Sequence, residues 1–176
     1  MKRIADEALK EIDTMRTEPE EFSTQWERIT EGTLELLRAL PSDQYDFRPD
    51  PGGRSIGELA WHLAEVDAYI SFGIEQEQFT FEVKPPHMDR PKTIAGLAPA
   101  FRVVHDEAAA RIARLGPSDF DREIRYADGT SWTIRDLLWR KLLLHAVHHR
   151  GQLMLLCRLA GGVPPELFGR TRETPR

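Results

Sequence analysis

His145 and His149 stand four residues apart in LLLHAVHHRGQL, residues 142–153, a strongly helical pattern. Four residues is a little more than one helical turn, so the two imidazoles share a face and can set nitrogens about 2.0 to 2.1 Å from one divalent metal. His148 lies roughly 100° round the helix from His149, which gives it a surface or supporting position. A third imidazole comes from His62, which sits beside Leu59, Leu63 and Val66 on the apolar stripe of another helix. Gathering three imidazoles out of water is costly unless something coordinates them. His62, His145 and His149 are therefore the expected metal ligands. Three neutral nitrogen donors leave about one to three coordination positions open, which suits a catalytic site better than a closed structural one. The residue after His145 is Ala146, so the glutamate base of an HExxH protease is missing and peptide hydrolysis is disfavoured.

Around these three, Glu65, His148, Arg150 and Gln152 are candidates for supporting roles, and no residue is assigned a catalytic one. Glu65, three residues after His62, could orient that imidazole or relay a proton, or be an ordinary solvated helix glutamate. Arg150 and Gln152 flank His149 and could bind a carboxylate, although bracing the fold by hydrogen bonds is the commoner use. Asp67 reads as a surface residue. Cys157, two turns beyond His149, reads as a small core residue. Trp61, Trp132 and Trp139 could line a pocket, but aromatic core packing is the more usual employment. His87 and His105 have no matching partner in the pattern and receive no site.

Four long helical patterns must position these groups. The first runs from about Glu20 to Leu40, where Phe22, Trp26, Ile29, Thr33, Leu36 and Leu37 form an apolar stripe. The proline- and glycine-rich segment PSDQYDFRPDPGGR forbids its continuation. Ser55 and Glu58 form an S-x-x-E capping box that opens the second helix, whose inner face carries Leu59, Leu63, Val66 and Ile70. A polar, proline-bearing link from Gln78 to Lys92 leads to a third helix, Thr93 to Leu115, with Leu97, Phe101, Val104, Ala108 and Ile112 inward. EIRYADGTSW suggests a short two-stranded ribbon turning at Asp128-Gly129. Thr133 and Asp136 then cap the longest helix, which is expected to reach Leu159 and stop at Gly161-Gly162. Ile4, Ala8, Leu9 and Ile12 share a face of a short N-terminal helix. The expected organisation is an N-terminal helical extension over 1–19, a helical bundle over 20–165 and a polar tail over 166–176.

The chain has 176 residues and 40% hydrophobic content, enough for one domain with a substantial core. Its 29 acidic against 24 basic residues give a formal charge of -5, so no broad positive field exists to attract nucleic acid. One cysteine excludes an internal disulfide framework and thiolate metal clusters, and fits a reducing compartment. No stretch approaches ~18 consecutive apolar residues, and the N-terminus is acidic throughout. The reading is a soluble, cytoplasmic protein with a small-molecule substrate and neither nucleic acid nor membrane as partner.

LPSDQYDFRPDPGGRSIGELAWHLAEVDAYI, residues Leu40 to Ile70, followed by the DGT segment, its T-x-x-D cap and the closing HxxxHRGQ, resembles the DinB-like (DinB/YfiT) superfamily of metalloenzymes. The resemblance covers roughly Glu20 to Pro165. It implies an all-α, four-helix bundle with an up-down-down-up path. It also implies one divalent metal on His62, His145 and His149, zinc or nickel above all, with iron, cobalt and copper acceptable to the same donors. A homodimer is a habit of that family. The superfamily includes thiol-dependent transferases, so the implied function is a metal-dependent transferase that joins a low-molecular-weight thiol of the bacillithiol, mycothiol or glutathione type to an electrophilic small molecule. A metal cation favours thiolate over thiol, which suits a chain with one cysteine. The alternatives are a non-catalytic metal or small-ligand binding stress protein, and a metal-dependent hydrolase.

Overall fold

A computed structural model describes residues 16–126, 128–170 and 173; the expected N-terminal helix lies almost wholly outside these. Helix α1 spans Glu18–Ala39. It starts slightly before the expected Glu20 because Thr17 and Glu20 form a capping pair, with the Thr17 N–H donating to Glu20 Oε2 at 2.8 Å, and Pro19 occupies the first turn. Helix α2 spans Ile56–Glu75, strand β1 Gln78–Phe79 and helix α3 Ile94–Ile112. After a 3₁₀ turn at Pro117–Asp121 come strands β2, Glu123–Tyr126, and β3, Ser131–Thr133. The last helix, α4, covers 134–159 in three parts: an α-helical turn Ile134–Asp136, a π-helical stretch Leu137–Leu144, and an α-helix His145–Leu159.

The four helices form a ring in which α2 packs chiefly on α3 and then on α4, while α1 also packs on α3 and α4. Helices α1 and α2 thus stand diagonally across the bundle, and this is why consecutive helices need the long proline-rich connection between them. That connection is pinned to the start of α2. Gly57 N–H donates to the Tyr45 carbonyl at 2.9 Å and Ile56 N–H to that of Phe47 at 3.1 Å. A Cβ on Gly57 would lie 2.2 Å from the Tyr45 ring, so this position demands glycine. The Tyr45 hydroxyl in turn donates to the Pro91 carbonyl and ties the α2–α3 link to the same corner.

Beyond the expected β2–β3 hairpin, the polar link contains a strand that the sequence reading did not assign. β1 pairs in parallel with β2, Phe79 opposite Tyr126, in a three-stranded sheet of order β1-β2-β3. Its cause is visible in the alternation of Phe79 and Phe81 within QFTFEV. The stacked rings of Phe79 and Tyr126 lie 4.3 Å apart, and Gly73 leaves room for Phe79, which a Cβ there would approach to 2.9 Å.

The buried side chains fall into two clusters. One joins Leu34, Leu37, Trp61, Leu63, Phe101 and Leu153; the other joins Phe22, Trp26, Val66, Ile70, Phe120 and Leu138. The π-helical stretch marks the passage of α4 from the second to the first. Its buried residues are Leu137, Leu138, Leu142 and Leu143, a repeat of five residues where a regular helix repeats every 3.6 or so, and a wider turn with i→i+5 bonding accommodates that repeat. α4 had been expected as one uninterrupted α-helix. Among the described residues no helix is long and apolar enough to cross a membrane.

Candidate metal centre

His62 lies two turns into α2, and His145 and His149 open the α-helical part of α4. Donor atoms of the three lie within 4.8 Å of one another. Ring centroids are 4.7 Å apart for His62 and His149, 5.4 Å for His62 and His145, and 4.5 Å for His145 and His149. The Nε2 atoms of His145 and His149 are 2.7 Å apart.

In every ring the other nitrogen is engaged by oxygen. His62 Nδ1 meets Glu65 Oε2 at 3.0 Å, His145 Nδ1 meets the Lys141 carbonyl at 3.3 Å, and His149 Nδ1 meets Gln152 Oε1 at 2.7 Å. A carboxylate and a carbonyl can only accept, so Nδ1 carries the proton in His62 and His145 and Nε2 is left with its lone pair. For His149 the same orientation follows from the Gln152 amide, whose nitrogen lies 3.0 Å from His148 Nε2 and whose oxygen therefore turns to His149. Two Nε2 lone pairs 2.7 Å apart repel unless a proton or a cation lies between them. Burial, and then the neighbouring His62, lower the pKa of His145. The pKa of His149 is lowered to about 4, chiefly by burial, with the Gln152 hydrogen bond opposing and His145 and His62 adding to the shift. Protons are thus disfavoured, and a neutral donor set of this kind fits a divalent cation of the zinc, nickel or copper type.

The other candidates separate clearly. Glu65 touches the set through His62. His148 is exposed and does not converge with the three; it holds the Gln152 amide instead. Arg150 faces away from the cleft and is buried, its Nη1 donating to the Ile29 carbonyl at 3.1 Å and its guanidinium 5.4 Å from the Phe168 ring. Trp61 is core, Trp139 donates to Glu18 Oε1 at 3.1 Å, and Cys157 is fully buried, which pushes its thiol pKa up.

Asp67 corrects the sequence reading. It is 2% exposed rather than at the surface, because α2 is enclosed by helices on most of its circumference. His105, left without a partner in the sequence reading, is the residue it meets. His105 Nδ1 lies 2.9 Å from Asp67 Oδ2 and 3.2 Å from Thr30 Oγ1, and its Nε2 lies 3.0 Å from Glu27 Oε2. Trp26 Nε1 donates to Asp67 Oδ1 at 3.3 Å. Burial works against the imidazolium, but the hydrogen bonds and charges of Asp67 and Glu27 outweigh it, so the His105 pKa is raised. His87 pairs with Glu107 at 2.6 Å and is not among the converging donors.

A cleft of about 510 Å³ opens beside His62 and His145. Val66, Tyr69, Ile70, Phe79, Phe81 and Tyr126 form its apolar walls, and Arg54, Glu65 and Lys141 add polar groups. Burial, and then Asp128, push the Tyr126 pKa up to about 12, so this wall keeps a neutral phenol. A second, shallower groove of about 390 Å³ runs past His149 and Gln152, and Arg54 borders both. The aromatic wall escaped the sequence reading because half of it lies in the link taken as structureless.

Comparison with known proteins matches this architecture. The uncharacterised protein YrdA of Bacillus subtilis is 24% identical over 155 residues, 86% of this chain and 89% of its own. Among solved structures, the DinB-like protein YjoA of Bacillus subtilis superposes with a TM-score of 0.70 at 22% identity, covering 86% of this chain and 99% of that one. A DinB-like protein of Bacillus cereus gives 0.69 at 25% identity, over 82% and 93%. YfiT of Bacillus subtilis, described as a probable metal-dependent hydrolase with an unusual four-helix bundle topology, gives 0.65 at 15% identity, over 84% and 91%. The DinB superfamily model matches residues 25–153, and the chain belongs to that superfamily.

Proposed function

We propose that His62, His145 and His149 hold one divalent metal ion through Nε2, and that the protein is a metal-dependent enzyme acting on a small molecule bound in the adjoining cleft. The observation that carries this reading is the convergence of one donor atom from each ring within 4.8 Å, with the Nδ1 atom of each ring held by oxygen. A divalent cation there supplies Lewis acidity, lowering the pKa of a thiol or water that reaches it. Glu65, the Lys141 carbonyl and Gln152 each keep a proton on Nδ1 and fix the plane of a ring.

The reaction we favour is transfer of an electrophilic group to a low-molecular-weight thiol of the bacillithiol, mycothiol or glutathione type. Two concave surfaces border the histidines, one walled by aromatic rings and one lined by Asp50, Arg54, His149 and Gln152 among apolar residues, which gives an electrophile and a thiol separate places to bind. Hydrolysis is the second reading. It is supported by the Glu65 carboxylate in the cleft, where it could accept a proton from water, and by the description of YfiT.

The test combines elemental analysis of purified protein with a panel of thiols and a model electrophile, and with ester and amide substrates without thiol. Stoichiometric metal and thiol-dependent turnover, both lost in His149→Ala, are the expected results. Turnover without thiol would replace transfer by hydrolysis. Metal without turnover on either panel would leave a metal-binding protein, and absence of metal would overturn the proposal.

A further inference from the structure

The cleft beside the histidines has a positive balance of side chains, although the chain as a whole carries a formal charge of -5. Arg54 and Lys141 line it with one carboxylate, Glu65, which already faces His62 Nδ1. Lys141 Nζ lies over the Trp132 ring, 4.3 Å from its centroid, a contact that positions the ammonium without neutralising it. Arg54 is exposed and makes no hydrogen bond or ion pair with any other described residue, whereas Arg48 and Arg90 nearby are both held by Glu58. It borders the cleft, the groove past His149 and a third depression walled by Arg48 and Arg90. The rings of Phe79, Phe81 and Tyr126 line the same cleft. Phe81 leans edge-on against Phe79 at 5.1 Å and is nevertheless 74% exposed. A cleft lined by a large exposed ring and by an unpartnered guanidinium is a surface complementary to a molecule with an apolar body and an acidic head.

We propose that the cleft selects amphipathic organic anions, with an aromatic or extended apolar body along Phe79, Phe81 and Tyr126 and a carboxylate or sulfonate head on Arg54, helped by the field of Lys141. That the bound anion is the substrate rests on reading the three histidines as the reactive centre; the selectivity itself needs only the cleft.

Anilinonaphthalene sulfonate and uncharged N-phenylnaphthylamine share their rings and differ in the acidic group, so each is titrated by fluorescence into wild type, Arg54→Gln, Arg54→Lys and Phe81→Ala. Loss of a charge-assisted hydrogen bond predicts that Arg54→Gln weakens the sulfonate by about ten-fold or more. The neutral dye should keep its wild-type affinity in that variant, Arg54→Lys should retain part of the sulfonate affinity, and Phe81→Ala should weaken both dyes. If Arg54→Gln shifts both dyes alike, or neither, the anion assignment is overturned. Metal content measured on the same samples separates the two readings. Lost selectivity in fully loaded protein removes this inference alone, while intact selectivity in protein that takes up no metal removes the metal centre alone.

Discussion

The molecule holds two arrangements built around histidine, and they are opposites. Around His105 both ring nitrogens face carboxylates, of Asp67 and Glu27, and the ring is 1% exposed. That imidazole is stabilised as a cation and its hydrogen-bonding capacity is spent. In the set of His62, His145 and His149 one nitrogen of each ring faces an oxygen and the other faces its fellows. His145 and His149 are held toward the neutral form, with a nitrogen of each to spare. Burial alone does not distinguish the two, since it disfavours the charged form in both; the number of carboxylates within hydrogen-bond reach does. One arrangement closes a contact between α1, α2 and α3, and the other gathers donor atoms at the junction of α2 and α4.

The sharpest way to break this contrast is to remove one ligand from the open set. His145→Ala or His149→Ala should drop metal content from stoichiometric to background by elemental analysis, while His148→Ala keeps it. Equal loss in His148→Ala would show that the Gln152 contact matters as much as the donors. In the closed arrangement, His105→Ala should cost about 3–5 kcal/mol in urea unfolding by leaving Asp67 buried without its counter-ion, with metal content unchanged at saturating metal. A stability loss below about 1 kcal/mol would remove the ion-pair assignment. Glu65→Gln should weaken metal affinity by about ten- to a hundred-fold, measured by competition with a chromophoric chelator, because it loosens the hold on His62 Nδ1.

Acidity should pull the two arrangements in opposite directions in metal-free protein. His149 has a folded pKa lowered to about 4 from 6.5, so below 6.5 the unfolded chain binds the extra proton and stability falls as pH drops toward about 4. His105 has a raised folded pKa, so its contribution is complete below 6.5 and is lost as pH rises through the folded value. His149→Ala should flatten the acid limb of the stability curve and His105→Gln the alkaline limb, both read by urea unfolding at stepped pH. The smallest effect is at the cap of α2. Ser55→Ala should cost about 1 kcal/mol and leave metal content intact.

How much of this was legible before the structure depended on whether a feature belonged to one element or to the meeting of several. The caps at Ser55 and Thr133 and the stripe Leu97–Phe101–Val104–Ala108 each reside within one helix, and the periodicity displays them. The nearness of His145 and His149 follows from spacing, and the inward face of His62 from its apolar neighbours. The Asp67–His105–Glu27 contact involves three helices and leaves no local trace, although His105 lies four residues after Phe101 on the inner stripe and could have been read as buried. β1 was passed over because its two residues of parallel pairing with β2 are a very short run, although Phe79 and Phe81 alternate within QFTFEV. The π-helical stretch did leave a mark, the doubled leucines at 137–138 and 142–143, but a search tuned to 3.6-residue repeats passes over it.

That stretch has a consequence for how the protein can vary. A regular helix is a ruler that ties angular position to sequence number, so any change upstream of His145 that adds or removes a residue would swing both imidazoles by about 100°. A wide turn is a loose tooth in that ruler. Because Leu137–Leu144 already follows a different pitch, the leucines that anchor α4 among Phe22, Ile70 and Phe120 and the imidazoles that follow are set to separate angular origins. Since a wide turn holds one residue more than an ordinary one, a single-residue deletion inside it should be absorbed by a return to ordinary pitch, with both alignments nearly kept.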